Sequence, residues 1–231
     1  MKRLLLLTAA LLVVFSAVCM AVEESLAVRE ELTGVQEADS TTVYYTLPQF
    51  EQQYPEDGYI NQFFAQLCEL EMLTELFPSL AYTQGDLHVG YEIGRNDERY
   101  LCVILHAETV DGAGKESRAV NFARNGVYAG QKIDLMQVLG LENEVDPEAL
   151  NDTVFDLVWQ QVEKSSGNMD LGYLDGLTAE TVSGAFDPKW DFRLDKNGNV
   201  VFMIQPGEIA AEMEGVLEYP FLPEELLATI K

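Results

Sequence analysis

Basic residues, histidines and cysteines are scarce in this chain of 231 residues, and the shortage of basic residues excludes two classes of function. The sequence has 14 lysines and arginines against 39 aspartates and glutamates, which gives a formal net charge of −25. Binding to nucleic acid needs a basic face and docking on anionic lipid needs basic clusters, so both functions are excluded. The same charge would speed the encounter with a basic partner, or would simply keep a secreted protein soluble.

The shortage of histidine argues against catalysis. Nucleophilic catalysis needs a serine or cysteine beside a positioned base, which is usually histidine. Only His88 and His106 are present, and no Gly-x-Ser-x-Gly turn accompanies them. Pairs of carboxylates that could cleave a glycosidic bond are expected by chance among so many acids. The sequence therefore predicts a protein that is not an enzyme and uses no cofactor.

The N-terminus has the pattern of a secretion signal. Two basic residues precede an apolar run, Leu4–Val22, and small residues precede a cleavage point after Ala21. We expect residues 1–21 to be a cleaved signal peptide. An uncleaved membrane anchor and a lipoprotein acylated at Cys19 are the alternatives. All three place the rest of the chain outside the cytoplasmic membrane, either secreted or tethered to its outer face.

Beyond that segment the only cysteines are Cys68 and Cys102. A disulfide between them is permitted outside the cell. Each cysteine also lies on a predicted apolar face, which favours two buried free thiols. The sequence leaves both possibilities open.

The order of the remaining elements predicts an α+β fold, an antiparallel β-sheet with helices packed on it. Residues 22–40 are acidic and lack aromatic side chains, which indicates a linker. A first strand is predicted over Thr41–Leu47, ended by Pro48. Apolar residues at helical spacing over Tyr59–Phe77 then predict one helix, capped by Asp57.

Two further strands, Asp86–Ile93 and Tyr100–Thr109, are predicted to form a hairpin around a polar turn. The apolar positions of both strands are odd-numbered, and residues that pair must share a face of the sheet. Residues that pair across the two strands must then both be odd-numbered or both even-numbered, so the loop between the strands must contain an odd number of residues. We expect Arg95 to lie opposite Arg99.

That register predicts a candidate metal site. It would place His88 opposite His106, on the face of the hairpin that carries no apolar stripe. Two imidazoles and two carboxylates within reach across the strands could bind a transition metal; the candidate ligands are Asp86, His88, His106 and Glu108. An ordinary polar strand face is the alternative.

The second half of the chain contains clear helix boundary signals. Asp134 can cap a short helix that Gly140 ends, and Pro147 can open a longer helix. The predicted elements are a strand over Ser117–Tyr128, that short helix, a helix over Glu148–Lys164, one or two helical turns over Thr178–Ser183, a last strand over Val216–Phe221 and a terminal helix from Pro223.

The most informative stretch is Trp190–Gly215, WDFRLDKNGNVVFMIQPGEIAAEMEG. It begins with alternating apolar and charged residues, which indicate a half-buried strand. Asp195–Asn199 supplies residues that tolerate positive φ, as a hairpin turn requires. Val200–Ile204 is nearly all apolar and is typical of a central strand. Pro206 lacks an amide proton, so the following loop cannot continue that strand.

This stretch resembles the signature that closes the extracytoplasmic domain of RsiV-like anti-sigma factors, the lysozyme sensors, and a domain attached to some peptidoglycan deacetylases. The stretch Gly112–Leu139 is similar to a second landmark of that family, but the family's histidine is absent. Gly207 stands where the signature has a tyrosine. The resemblance implies an RsiV-like ectodomain architecture, with an N-terminal strand-helix-hairpin part over residues 41–110 and an RsiV-like C-terminal domain over residues 111–231.

The function that the resemblance implies is binding without catalysis. The ligand would be a cell-wall component such as peptidoglycan, or a basic protein such as lysozyme. Glu208, which the signature shares, and the adjacent Ile209 are the candidate ligand-binding residues. Glu208 could instead cap backbone amides within its own loop.

Two other functions stay open from the sequence. One is a cell-wall-modifying or metal-dependent hydrolase, and the other is a scaffold with no ligand. Signalling through a sigma factor is not expected, because only Met1, Lys2 and Arg3 precede the apolar run.

Overall fold

Two β-sheets and the helices around them make up the part of the chain that the computed structural model describes, residues 25–38, 41–78, 85–110, 115–165, 172–211 and 215–230. The strands are β1 (Val28–Ala38), β2 (Thr41–Phe50), β3 (Gly85–Asn96), β4 (Tyr100–Thr109), β5 (Lys115–Ala123), β6 (Phe192–Leu194), β7 (Val200–Ile204) and β8 (Leu217–Phe221). The helices are α1 (Asp57–Gln66), α2 (Leu70–Leu76), α3 (Leu135–Leu139), α4 (Pro147–Ser165), α5 (Ala179–Ser183) and α6 (Pro223–Ile230). The predicted signal peptide and the Asp111–Gly114 loop lie outside the described residues.

The larger sheet has five strands in the order β1-β2-β3-β4-β5, and the smaller has three in the order β6-β7-β8. The predicted α+β class is confirmed. The larger sheet is mixed rather than wholly antiparallel, since β2 and β3 pair in parallel. The reason is that α1 and α2 lie between β2 and β3 along the chain and provide the crossover that parallel strands need.

Strand β4 lies between two hydrophobic cores. Leu101, Val103 and Leu105 face the core formed with α1 and α2. Cys102 and Ile104, at the alternate positions, face a second core formed with the smaller sheet and α3, α4 and α5. All five residues are buried. Strand β4 therefore joins both halves of the fold, and the predicted domain boundary after residue 110 falls between β4 and β5, which pair directly.

The predicted acidic linker is wrong over Val28–Ala38, which forms β1. This strand pairs with β2 along its length, with Leu32 opposite Leu47. It lies at the edge of the sheet, and most of its side chains are exposed. An edge strand needs backbone partners on one side only and is commonly charged, so its composition resembles that of a linker.

Pro48 lies within β2 instead of ending it. The strand runs to Phe50, and Pro48 is opposite Glu31 of β1. The pairing of β2 with β3 stops at Tyr45, so β2 has only one neighbouring ladder at Pro48. A proline is tolerated there because one edge of the strand needs no hydrogen bond.

The single helix predicted before β3 is two helices. Glu69 has an extended backbone, with φ −87° and ψ 134°, which separates α1 from α2. The predicted apolar stripe does form core, since Ile60, Phe64 and Leu73 are fully buried. Asp57 does not cap the helix, because its carboxylate accepts hydrogen bonds from the preceding turn.

The β3–β4 hairpin has the predicted faces but not the predicted register. His88 lies opposite Glu108, two residues from the predicted His106. A bulge at Gly94 takes up one residue, and the Asp97 carboxylate closes the turn by accepting from the backbone of Tyr100 at 2.9 Å. A Cβ at Gly94 would lie 3.2 Å from the Cys102 Sγ, so glycine suits this crowded position.

The predictions for the second half of the chain are largely confirmed. Asp134 and Gln137 form a capping box at the start of α3, and Gly140 ends that helix with φ 68°. Strand β5 is shorter than predicted and ends at Ala123; a 3₁₀ turn follows over Gly126–Tyr128. The smaller sheet forms as the Trp190–Gly215 pattern predicts, with β7 central and fully buried.

The two cysteines in the described residues form no disulfide and lie in different cores. Cys102 is fully buried and Cys68 is partly exposed. Among the helices described, none has the length and apolar character needed to cross a bilayer.

Candidate functional site

The predicted site residues on the hairpin lie on a sheet face that the second core covers only in part. At Cys102 and Ile104 of β4 this face is buried. Along β2 and β3, and beyond Ile104 on β4, it carries polar side chains at alternate positions, and most of them are exposed. We call this half the open face and define it by Tyr44, Asp86, His88, Glu92, His106 and Glu108.

His88 is exposed on this face and has contacts on both sides. Its ring stacks on that of Tyr44, with 5.1 Å between the ring centroids and 17° between the planes. Glu108 lies opposite it on β4. Adjacent strands therefore present an aromatic ring, an imidazole and a carboxylate in a row.

His106 is half-buried at the inner border of the open face. Its Nδ1 shares a hydrogen bond of 2.7 Å with the Ser117 Oγ, and its Nε2 is 3.8 Å from a Glu92 carboxylate oxygen. Burial lowers the pKa of His106 below its ordinary value, and the Lys115 ammonium acts in the same direction. Glu92 and Glu108 oppose that shift without reversing it.

The predicted metal-binding set does not assemble. The register places His106 opposite Gly90, so the two histidines do not face each other across the strands. No group of three or more histidine, cysteine or acidic side chains in the described ranges is arranged to hold a metal ion. The turn is the physical cause, because the last pair is Asn96 with Leu101 and not Arg95 with Arg99; together with the one-residue bulge at Gly94 this displaces β4 by two residues from the predicted register.

Ser117, His106 and Glu92 form a serine-histidine-carboxylate series, which invites comparison with a hydrolase triad. A nucleophilic serine must reach a substrate carbonyl. Ser117 is only 2% exposed. In this arrangement the serine hydroxyl positions the imidazole at the edge of the open face.

The loop after β7 borders the open face on the side of the smaller sheet. Gln205 bonds the backbone of Ser117, and Gly207 turns the chain with φ 85°. Glu208, which sequence analysis selects as a ligand-binding residue, is exposed on this loop. Ile209, the second candidate, is fully buried in the core and its carbonyl accepts from the Leu174 amide at 3.0 Å. Its side chain therefore cannot touch a ligand.

Four residues that build this site were not predicted from the sequence: Tyr44, Glu92, Ser117 and Gln205. Tyr44 and Glu92 belong to the same set of alternate positions as the histidines, so the strand period could have found them. The contact of Gln205 with Ser117 joins residues 88 positions apart. No local pattern predicts such a contact.

The fold is similar to that of a solved DUF3298 family protein from Pseudomonas aeruginosa PAO1, with a TM-score of 0.54 and 12% identity over 90% of this chain and 94% of the other. A DUF3298 family member from Bacteroides fragilis NCTC 9343 gives a TM-score of 0.49 and 14% identity over the same shares. No family model matches the chain, and no curated protein matches its sequence. The DUF3298 fold is related to that of RsiV-like domains, so the resemblance holds at the level of fold.

Proposed function

We propose that this chain is a non-enzymatic extracytoplasmic binding domain whose open face takes a basic protein partner such as lysozyme. The observation that carries the proposal is the open face itself. It is an exposed and predominantly acidic surface beside the loop of the RsiV-like signature.

The charges of the open face favour a cationic partner. Asp86, Glu92 and Glu108 are exposed on it, while Lys115, which lies opposite Glu108 on β5, is the base whose charge acts on His106. The chain as a whole carries a formal −25, so its long-range field has the same sign as the local one. Both would steer a basic protein towards this face.

The geometry of the face also favours a protein over a small ligand. The open face is a sheet surface, and the Tyr44–His88 stack gives it a rigid aromatic centre. Aromatic anchors surrounded by polar side chains are typical of protein interfaces. The serine that could have supplied catalysis is buried, which supports binding as the function over hydrolysis.

The test compares two variants that change the net charge equally. Glu92→Gln with Glu108→Gln neutralises the open face, and Asp152→Asn with Asp156→Asn neutralises exposed acids on α4. We expect the secreted protein to bind immobilised lysozyme, and the open-face pair to weaken binding by at least about tenfold more than the α4 pair, since close charge pairs couple by roughly 1.5 kcal/mol or more.

Three results would contradict the proposal. Equal loss in both variants, or binding that disappears at high salt in the parent protein, would indicate charge attraction without a site. Absence of lysozyme binding would remove the proposed partner. Capture by purified wall fragments in the same assay would then favour a cell-wall component as the ligand.

A further inference from the structure

Two adjoining surface clefts lie where the β3–β4 turn meets the segment after β5. The larger has a volume of about 540 Å³ and the smaller about 360 Å³. They share three lining residues, Glu98, Asn125 and Gly126. Together they form one groove, which we call the paired cleft.

Tyrosine rings line both parts of the paired cleft. Tyr100 and Tyr128 line the larger part, and Tyr54 lines the smaller. Tyr54 is 49% exposed, and Val127 at the rim is 85% exposed. The Arg95 guanidinium lies 4.9 Å from the centroid of the Tyr100 ring and helps to fix that ring. Flat rings of this kind offer an apolar surface with a polar edge to a ligand.

The charged groups of the paired cleft balance one another. Glu56 and Glu98 supply two carboxylates, and Arg99 and Arg124 supply two guanidinium groups. The lining is therefore neutral, although the chain carries a formal −25. The amide of Asn125 adds a further donor and acceptor to the lining. Such a lining suits ligand groups that both donate and accept, which is the property of a hydroxyl.

The lining is held in place by its own hydrogen bonds. Arg124 is 4% exposed and donates to the Asp97 carbonyl at 2.7 Å and to the Gln53 Oε1 at 2.6 Å. Asn125 donates to the Glu98 carbonyl at 3.0 Å. A site whose polar groups are already positioned loses less conformational entropy when a ligand binds.

We propose that the paired cleft binds a short, uncharged oligosaccharide, with sugar rings against the tyrosines and hydroxyls on the carboxylates, the Arg99 guanidinium and Asn125. The combined size lies in the range of small-molecule sites. The proposal does not depend on the function proposed above, because no residue of the open face lines the cleft.

The experiment titrates the secreted protein with two neutral probes, triacetylchitotriose and maltotriose, and follows binding by saturation-transfer NMR and calorimetry. Tyr54→Ala and Arg99→Ala each remove one exposed lining side chain. We expect each to weaken binding by roughly tenfold, as the loss of one hydrogen bond or contact would. The matched control is Tyr44→Ala, which removes a partly exposed tyrosine from the open face and should leave sugar binding unchanged.

Binding of triacetylchitotriose alone would assign the cleft to N-acetylated sugars, and binding of both probes would assign it to neutral saccharides in general. The proposal is overturned if neither sugar binds at millimolar concentration. It is also overturned if both cleft variants, shown by circular dichroism to be folded, bind as the parent does. Loss of lysozyme binding in the Tyr54→Ala variant without any sugar binding would make the cleft a protein contact instead.

Discussion

Gln205 bonds both backbone polar groups of Ser117. Its Nε2 donates to the Ser117 carbonyl at 2.7 Å, and its Oε1 accepts from the Ser117 amide at 3.0 Å. The side-chain amide therefore occupies the place that a neighbouring strand would take beside β5. Since Gln205 immediately follows β7, this pair of bonds attaches the loop over residues 205–210 to the larger sheet.

Replacing Gln205 should loosen that attachment. In Gln205→Ala, the buried backbone groups of Ser117 lose their partner, and we expect the free energy of unfolding to fall by about 2 kcal/mol. Gln205→Glu should lose a similar amount, because a carboxylate cannot donate to the Ser117 carbonyl. Urea unfolding measures both. Gln160→Ala, at an exposed site on α4, is the control and should change the free energy of unfolding by less than about 0.5 kcal/mol. If Gln205→Ala and Gln160→Ala lowered the free energy of unfolding equally, the two hydrogen bonds to Ser117 would contribute nothing to stability.

His106 should make stability depend on pH. Its pKa in the folded chain lies below its ordinary 6.5, chiefly because it is buried, so the unfolded chain takes up a proton at a higher pH. His106 makes its full contribution to the free energy of unfolding above pH 6.5. This contribution is lost as the pH falls from 6.5 through the pKa of His106 in the folded chain. We expect the free energy of unfolding to decline over this window in the parent and in the exposed-site control His88→Gln.

His106→Gln should show a smaller decline over the same window, measured by urea unfolding at a series of pH values. Parallel curves for the parent and the His106→Gln variant would show that the folded and unfolded pKa values of His106 are equal. The carboxylates whose pKa is lowered, such as Asp97, titrate at more acidic pH and do not interfere.

Two glycines with the same backbone conformation should respond differently to alanine. Gly130 has φ 76°, and a Cβ there would lie 2.2 Å from the Glu56 carbonyl oxygen. Gly140 has φ 68° and open space around it. We expect Gly140→Ala to cost about 1 kcal/mol, the strain of a left-handed residue, and Gly130→Ala about 3 kcal/mol or more, since the backbone must also move. Similar thermal shifts for the two variants would contradict the close packing at Gly130.

The two described thiols should differ in reactivity. Burial raises the pKa of Cys102 to about 12, and no part of its side chain is exposed. Burial also raises the pKa of Cys68, but that thiol is partly exposed and donates to the Phe64 carbonyl. We expect iodoacetamide to modify Cys68 slowly and Cys102 only after unfolding, because the thiolate is the reactive form. Peptide mapping by mass spectrometry follows each site, and rapid labelling of Cys102 in the native protein would contradict this burial.

The elements that the sequence predicted well are those whose signals are local. The capping box of Asp134, the proline that opens α4 and the apolar strand after the Asp195–Asn199 turn each combine neighbouring residues, and all three elements form. The turn itself is closed by the Asp195 carboxylate, which accepts from the amides of Asn197 and Asn199. Backbone conformation over so few residues depends little on the rest of the chain.

Short-range patterns predict the faces of the β3–β4 hairpin but not its register. The two faces of the strands follow from alternation alone, and they are correct. The register also depends on the bulge at Gly94, which lies against Cys102 and the Leu194 carbonyl of the smaller sheet. The register along the rest of the hairpin therefore depends in part on a position that packs against β6, about a hundred residues away. With the turn that pairs Asn96 with Leu101, the bulge places His88 opposite Glu108 and not opposite His106.

The sequence by itself determined the α+β class, the three strands of the smaller sheet, the caps of α3 and the acidic excess, because composition and short-range patterns carry that information. Only the tertiary structure decided that Val28–Ala38 is an edge strand, that β2 and β3 are parallel, and which side chains meet on the open face. These outcomes depend on backbone ladders and on contacts such as Gln205 with Ser117, which join distant segments after the chain has folded. A sequence pattern shows which side chains each segment carries, and tertiary packing determines which of them come into contact.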